Sequence, residues 1–180
     1  MPREASDGSS NANQLAAHLV RHTVDAWVQL TACVDALPDD LWTGPTDAAG
    51  WTVKDHVAHV TAWDASLVRL LTDGTPRPES LRVSAAAWAG GYGPVNEEIR
   101  QQGRHDSVDD VRTARDRTWR DVRALIARFS EDDLRQPATR FGLEGDRGSL
   151  FDKLVDDLST HYAQHLSCIQ AIVEPERDGD

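Results

Sequence analysis

The sequence predicts an all-α protein, a four-helix bundle built from one domain. Four long segments repeat apolar residues every three or four positions, which is typical of helices with one buried face. Three of the segments begin with a serine or threonine that can cap the first turn of a helix. No segment shows convincing two-residue alternation, so a β-sheet is not expected. The 180 residues are enough for one domain with a sizeable core.

The first two helices are predicted at residues 14–37 and 52–72. The sequence "LPDD" ends the first. In the second, Thr52 can cap the helix and Asp55 stands three residues later, before "DGTPRP" ends the pattern. The predicted buried residues are Leu15, Leu19, Ala26, Leu30, Val34 and Leu37 in the first helix, and Val53, Val57, Val60, Leu67 and Leu71 in the second.

The other two helices are predicted at residues 107–129 and 149–173. Ser107 and Ser149 are their expected caps, and acids follow Ser107 in the first turn. The connection 73–106 has enough apolar residues for short helices that roof one end of the bundle, and such long connections are often lids or binding loops. The expected buried faces are Val111, Thr118, Val122, Leu125 and Phe129 in the third helix, and Phe151, Leu154, Leu158, His161, His165, Cys168 and Ile172 in the fourth.

Composition limits the class of protein. An apolar share of 39% and a charged share of 27% are typical of a globular domain, with disordered ends expected at 1–13 and 174–180. A net charge of −11 argues against a nucleic-acid or membrane partner. There is neither a membrane-length apolar run nor a signal-peptide pattern, and two cysteines do not make a disulfide framework. We therefore expect a cytoplasmic protein.

Two histidines interrupt the apolar face of the fourth helix. His161 and His165 are four residues apart, so their Cβ atoms lie roughly 5–6 Å apart on one face. They either share a metal ion or are core histidines, each hydrogen-bonded to a neighbouring group. The spacing alone is weak evidence, since His18 and His22 share it.

A third candidate ligand lies in the second helix. His59 is on a strip beside the apolar face with Ala62 and Ser66, small and polar neighbours that are typical of a cavity wall. His56 is one turn earlier, and we expect it to be in solvent or bonded locally.

Two stretches, "GWTVKDHVAHVTAWD" and "STHYAQHLSCI", resemble the DinB-like superfamily, and its ClbS/DfsB branch in particular. The shared pattern is Trp51 followed eight residues later by His59, then His161 and His165 in the last helix. The branch resemblance lies in "TAWD" at 61–64, "NEEI" at 96–99 and the pair His161-Tyr162. The resemblance spans roughly residues 15 to 173 and extends to the N-terminal domains of mycothiol-dependent maleylpyruvate isomerases.

This resemblance implies an up-down-down-up bundle that often forms a homodimer and binds one divalent ion through His59, His161 and His165. Zinc and nickel are the first candidates, because imidazole suits both. A low-molecular-weight thiol such as mycothiol is a second candidate cofactor. Characterised members of the superfamily include thiol-dependent transferases and isomerases, and the ClbS/DfsB branch includes hydrolytic self-resistance against a genotoxin.

The remaining candidate residues each have two interpretations. Trp63 and Trp88 line a substrate pocket or belong to the core, and Asn96 and Glu97 line the same pocket or cap a short helix. The candidate catalytic residues are Asp64, a general base or the partner of an arginine, and Tyr162, a pocket or core aromatic.

Two classes of function follow. The first is an enzyme, a metal-assisted hydrolase or thiol transferase that acts on a small electrophilic molecule in detoxification or natural-product self-resistance. The second is a non-catalytic bundle that sequesters a small molecule. The chain contains neither a nucleophile elbow nor a glycine-rich phosphate loop.

Overall fold

The computed structural model describes residues 14–143 and 148–174, and the described residues are helical apart from turns and short connections. Within those ranges the β-type pairs are two isolated bridges, Thr46 with Thr52 and Pro137 with Ser149. The all-α prediction is confirmed. Of the predicted disordered ends, 1–13 and 174–180, all residues except Glu174 lie outside the described residues. The helices are α1 (Gln14–Asp35), α2 (Asp39–Thr43), α3 (Val53–Asp73), α4 (Arg77–Ser80), α5 (Ala85–Ala89), α6 (Tyr92–Gln102), α7 (Val108–Ile126), α8 (Glu131–Arg135), a 3-10 turn (Ala138–Phe141), α9 (Leu150–Leu154), a π-helical segment (Val155–Thr160) and α10 (His161–Val173).

The predicted caps fix the starts of three long helices. Each is a capping box, in which the cap hydroxyl accepts the N–H of the third helical residue and the carboxylate of that residue accepts the N–H of the cap. The helices therefore begin within one residue of the predicted positions. The pairs are Thr52 with Asp55 in α3, Ser107 with Asp110 in α7, and Ser149 with Asp152 in α9.

Contacts between the long helices fix their directions. α1 runs parallel to the last helix (α9, the π-helical segment and α10), α3 runs antiparallel to the last helix, and α7 runs antiparallel to α1. The order is therefore up-down-down-up, as predicted. The pairs that show this are His18 with Phe151, Trp27 with Tyr162, His56 with His165, Asp64 with Tyr162, Trp119 with Trp27, and Arg115 with Asp35.

The connection between α3 and α7 contains short helices, as predicted, but they do not cover one end of the bundle. They lie along α3 as a roof over its side, from Ser80 beside Ser66 to Gly103 beside Lys54. Its helices α4, α5 and α6 share a small apolar cluster of their own, formed by Leu81, Ala87, Val95 and Ile99. Trp63 packs against this cluster from α3, so the roof is attached to the helix that carries His59. None of the helices in the described part of the chain is long and apolar enough to cross a membrane.

The short helix α2 was not predicted. Its Trp42 is fully buried, and the indole N–H donates to the carbonyl of Val34 at 3.1 Å. The guanidinium of Arg112 lies 4.7 Å from the Trp42 ring centroid, a cation–π contact from α7. α2 therefore closes the end of α1 and leads the chain towards the first turn of α3.

Candidate functional site

Two histidines are placed by the first turns of α3. The capping box at Thr52 starts the helix at Val53, which puts His56 in its first turn and His59 in its second. Both rings are buried at 3% exposure and face α10. The cap therefore sets the position of both imidazoles.

The other two histidines follow the π-helical segment. Its last bond runs from the N–H of His161 to the carbonyl of Asp156, five residues back, so the segment holds one more residue than α-helical geometry allows. The buried face changes accordingly to Leu154, Leu158, Tyr162, Ile169 and Ile172.

The predicted apolar face of the last helix is therefore wrong in its second half. His161 and His165 are half-buried beside the core face and point towards α3, and Cys168 is exposed. The extra residue of the π-helical segment explains the change, because it rotates every later residue about the helix axis.

His59, His161 and His165 come together between α3 and α10. One ring nitrogen of each lies within 4.8 Å of the others. The Nε2 atoms of His59 and His161 are 3.2 Å apart. Two ring nitrogens at that distance need a proton or a cation between them, because their lone pairs repel. Ligands about 2.0–2.1 Å from a tetrahedral zinc are about 3.3–3.4 Å apart, so this pair fits such an ion.

The environment keeps these imidazoles neutral. Burial, and to a smaller extent the neighbouring His161 and His56, lowers the pKa of His59 to about 3. Burial also lowers the pKa of His165 to about 2, with the other three histidines adding to the shift. The pKa of His161 is lowered by burial, although Asp157 and Asp156 oppose the change. A metal ligand must be unprotonated, so these three neutral imidazoles are able to bind a metal ion.

His56 is not where the sequence suggested. It is buried, its Nε2 lies 3.1 Å from Oδ2 of Asp47, and its Nδ1 lies 2.8 Å from Nδ1 of His165. Burial lowers the pKa of His56 against the opposing effect of Asp47. The expectation of a solvated or locally bonded ring is wrong, because the loop before α3 brings Asp47 back over the helix start.

The triad borders a cavity of about 810 Å³ beneath the roof. Trp63, Trp88 and Asn96 line it, as the sequence suggested, and Tyr92 is a further aromatic wall. The indole N–H of Trp63 donates to Oδ1 of Asn96 at 3.2 Å. Glu97 does not line the cavity. That prediction is wrong, because adjacent positions on α6 face different ways.

The carboxylate of Glu97 is half-exposed and accepts hydrogen bonds from Arg100 and Gln101 on its own helix. These bonds lower its pKa to about 2. Glu97 therefore belongs to the solvated face of α6.

The cavity lining also carries charges that sequence reasoning missed. Asp157 pairs with Arg77 and with Lys153, whose Nζ lies 2.8 Å from Oδ1, and Asp156 is also on this wall. Arg77 also lies over Trp63, 5.4 Å from the ring centroid. Two cations and two acids balance in formal charge, so the cavity does not select strongly for an ionic molecule.

Asp64 and Tyr162 form a buried pair away from the cavity lining. The hydroxyl of Tyr162 donates to Oδ2 of Asp64 at 2.7 Å, and Oδ1 of Asp64 has no partner among the described residues. Burial raises the pKa of Asp64 well above its usual range, and it also raises that of Tyr162. Neither side chain lines the cavity, although both were predicted as catalytic residues.

Comparisons with known proteins give the family and the fold. The model of the DinB superfamily matches residues 22–169. Two uncharacterised proteins of Mycobacterium tuberculosis, from strains CDC 1551 and H37Rv, are each 29% identical over 96 residues. That match covers 53% of this chain and 37% of each relative, so it spans well under half of their length.

Two solved structures share the fold. An uncharacterised protein from Escherichia coli UTI89 superposes with a TM-score of 0.66 at 15% identity, covering 92% of this chain and 96% of that one. The colibactin self-resistance protein ClbS, in complex with double-stranded DNA, gives a TM-score of 0.63 at 14% identity, covering 89% and 96%.

The second structure corrects one prediction. A protein of this fold is seen with duplex DNA, so the exclusion of a nucleic-acid partner was wrong. The physical reason is that net charge sums the whole chain, whereas phosphate contacts depend on local cations. The predicted homodimer stays a prediction.

Proposed function

This chain belongs to the DinB superfamily, and on that premise we propose that it is a metal-dependent enzyme that inactivates a small electrophilic molecule. Detoxification or natural-product self-resistance is the proposed setting, in keeping with the self-resistance protein among its structural neighbours. The observation that carries the proposal is the group of three imidazoles that borders an aromatic cavity.

The proposed metal ligands are His59, His161 and His165. Neutral imidazoles suit zinc and nickel, and three protein ligands leave a coordination position open. The chemistry that such an ion supplies when bound is Lewis acidity, which makes a nucleophile from water or a thiol near neutral pH. The residues contribute by converging on one point, since the Nε2 atoms of His59 and His161 are already 3.2 Å apart.

The cavity walls are proposed to hold the substrate beside that point. Trp63, Trp88 and Tyr92 offer flat apolar surfaces, and the balanced charges of the lining favour a molecule without a strong net charge. The Oδ1 atom of Asn96 already accepts from Trp63, which leaves its Nδ2 to donate to a carbonyl or similar acceptor of the substrate.

We propose that Asp64 and Tyr162 hold other residues in position and do not contact the substrate. Their hydrogen bond ties α3, five residues after His59, to the last helix at the residue that follows His161. Each helix supplies part of the histidine group, so this bond holds the two halves of the site in register.

Two variants of the chemistry remain within this proposal. The nucleophile is water in a hydrolase and a thiol such as mycothiol in a transferase, and dependence of turnover on added thiol separates them. A binder that only sequesters its ligand is the second candidate function. Its support is the exposure of the lining aromatics, since Trp88 is 40% and Tyr92 71% exposed.

The decisive experiment is elemental analysis of protein purified without a histidine tag. About one equivalent of zinc or nickel is expected in the parent, and much less in His161→Ala and His165→Ala. The matched control is His22→Ala, which removes a histidine from the exposed pair His18 and His22 and should leave the metal content unchanged. A parent without metal that takes none up would refute the metal-dependent enzyme.

Turnover separates the enzyme from the binder. Assays with an epoxide and with 1-chloro-2,4-dinitrobenzene, each with and without added thiol, probe the two reaction types. Product formed in excess over protein indicates an enzyme, whereas protection limited to one equivalent indicates sequestration.

A further inference from the structure

Asp47 and His56 form a chain of hydrogen bonds that ends on a proposed metal ligand. Nε2 of His56 lies 3.1 Å from Oδ2 of Asp47, and its Nδ1 lies 2.8 Å from Nδ1 of His165. The His56 side chain is 4% exposed and that of Asp47 19%, so the chain is largely shielded from water.

The loop before α3 holds the carboxylate of Asp47 in place. Its Oδ1 accepts the N–H groups of Ala49 and Trp51, both at 2.9 Å. The N–H of Asp47 donates to the carbonyl of Trp51 at 2.9 Å. These three bonds leave Oδ2 facing His56, and they make Asp47 the fixed end of the chain.

The carboxylate of Asp47 determines which ring nitrogen of His56, and then of His165, carries the proton. A carboxylate only accepts, so the proton of a neutral His56 sits on Nε2 and its Nδ1 is bare. A bare Nδ1 must accept, so His165 carries its proton on Nδ1. Its Nε2 then presents a lone pair.

We propose that Asp47 and His56 are positioning residues that hold His165 in the tautomer with a bare Nε2, the form that can bind a metal ion. This inference rests on the proposed metal site, and it gives His56 a role that spacing does not reveal. Groups that accept a hydrogen bond from the second nitrogen of a ligand histidine fix its tautomer and orientation.

Asp47→Asn is the sharpest perturbation. The amide oxygen can keep the bonds to Ala49 and Trp51, and its NH₂ then faces Nε2 of His56 as a donor. The proton of His56 moves to Nδ1, and that of His165 moves to Nε2. The variant is therefore expected to exchange donor and acceptor in both hydrogen bonds of His56 without disturbing the loop.

Two substitutions at His56 complete the set. His56→Leu removes the acceptor for His165. His56→Asn retains it, because the asparagine Oδ1 occupies nearly the position of the imidazole Nδ1. Asp25→Asn is the matched control, since it makes the same change at an exposed residue of α1 outside the cavity lining and leaves the hydrogen bonds of Asp47 and His56 intact.

The first readout is long-range ¹H–¹⁵N NMR of the full-length protein after chelation of metal, which reports which ring nitrogen carries the proton. We expect His165 protonated on Nδ1 in the parent, in Asp25→Asn and in His56→Asn, and protonated on Nε2 in Asp47→Asn. A parent in which Nδ1 of His165 is bare would overturn the inference.

The second readout is zinc affinity, measured by competition with a chromophoric chelator. We expect about 10–100-fold weaker binding in Asp47→Asn and His56→Leu, and near-parental binding in His56→Asn. Equal affinity in all variants would overturn the inference. If the parent has the expected tautomer but binds no zinc, the hydrogen-bond chain stands and the proposed metal-dependent function fails.

Discussion

Replacing Tyr162 by phenylalanine tests whether the buried pair with Asp64 is structural. The hydroxyl is the only group removed, and it donates to Oδ2 of Asp64 at 2.7 Å. The ring is expected to keep its edge contacts with Trp27 and Trp119, at centroid distances of 5.6 and 6.5 Å. The substitution therefore isolates one buried hydrogen bond.

The expected cost is about 1–3 kcal/mol, because the variant leaves a buried carboxyl oxygen without a partner. For a domain of this size that lowers Tm by about 2–12 °C. Urea unfolding followed by circular dichroism measures the change. Tyr92→Phe is the matched control, since this other tyrosine is 71% exposed and its substitution should alter stability by less than about 0.5 kcal/mol.

The same variant is expected to bind metal less tightly while keeping all three ligands, because the lost bond joins the two helices that supply them. A double-mutant cycle with Asp64→Asn should give a coupling of about 0.5–3 kcal/mol, as expected for two residues in contact. Unchanged stability together with lost turnover would refute the structural role and restore Tyr162 as a catalytic residue.

Three further predictions concern the same framework. Leu158→Ala should cost about 2–5 kcal/mol in urea unfolding, because Leu158 is the fully buried leucine of the π-helical segment, and a cost under about 1 kcal/mol would contradict its place in the core. Thr52→Ala should cost about 0.5–2 kcal/mol and increase amide exchange in the first turn of α3, since it removes the cap; unchanged exchange there would count against the capping box. Burial raises the pKa of Asp64, so ionisation is disfavoured in the folded state and the parent loses stability as pH rises above about 3.8. Asparagine does not titrate, so the stability of Asp64→Asn relative to the parent should improve between pH 4 and pH 8, and a constant difference would contradict the raised pKa.

The starts of the helices could be predicted from the sequence because their signals are local. Thr52, Ser107 and Ser149 each find their partner three residues later, so a short stretch contains the whole capping box. The short helices of the connection between α3 and α7 could also be predicted, because the apolar residues of a long connection need to be buried against a neighbouring surface.

The misjudged parts of the site depend on residues distant in sequence or on helix geometry. The environment of His56 is set by Asp47, which lies in a loop with no periodic pattern. The Asp-Ala-Ala-Gly turn was the available signal, since an aspartate at the start of a turn often bonds the following N–H groups. Glu97 was predicted to line the pocket from the family pattern alone, whereas its carboxylate accepts hydrogen bonds from Arg100 and Gln101 on α6.

The π-helical segment makes the placement of the histidines depend on local backbone geometry. Each residue of an α-helix turns the chain by about 100°, so closing Val155–Thr160 into α-helical geometry at unchanged length would turn His161 and His165 by about that angle relative to Leu154. Deleting one residue of the segment at the same time would cancel this rotation, because the segment holds one residue more than the same turns of an α-helix. The segment therefore stores one spare residue, and the loss of that residue is a change of length that leaves the histidines in place.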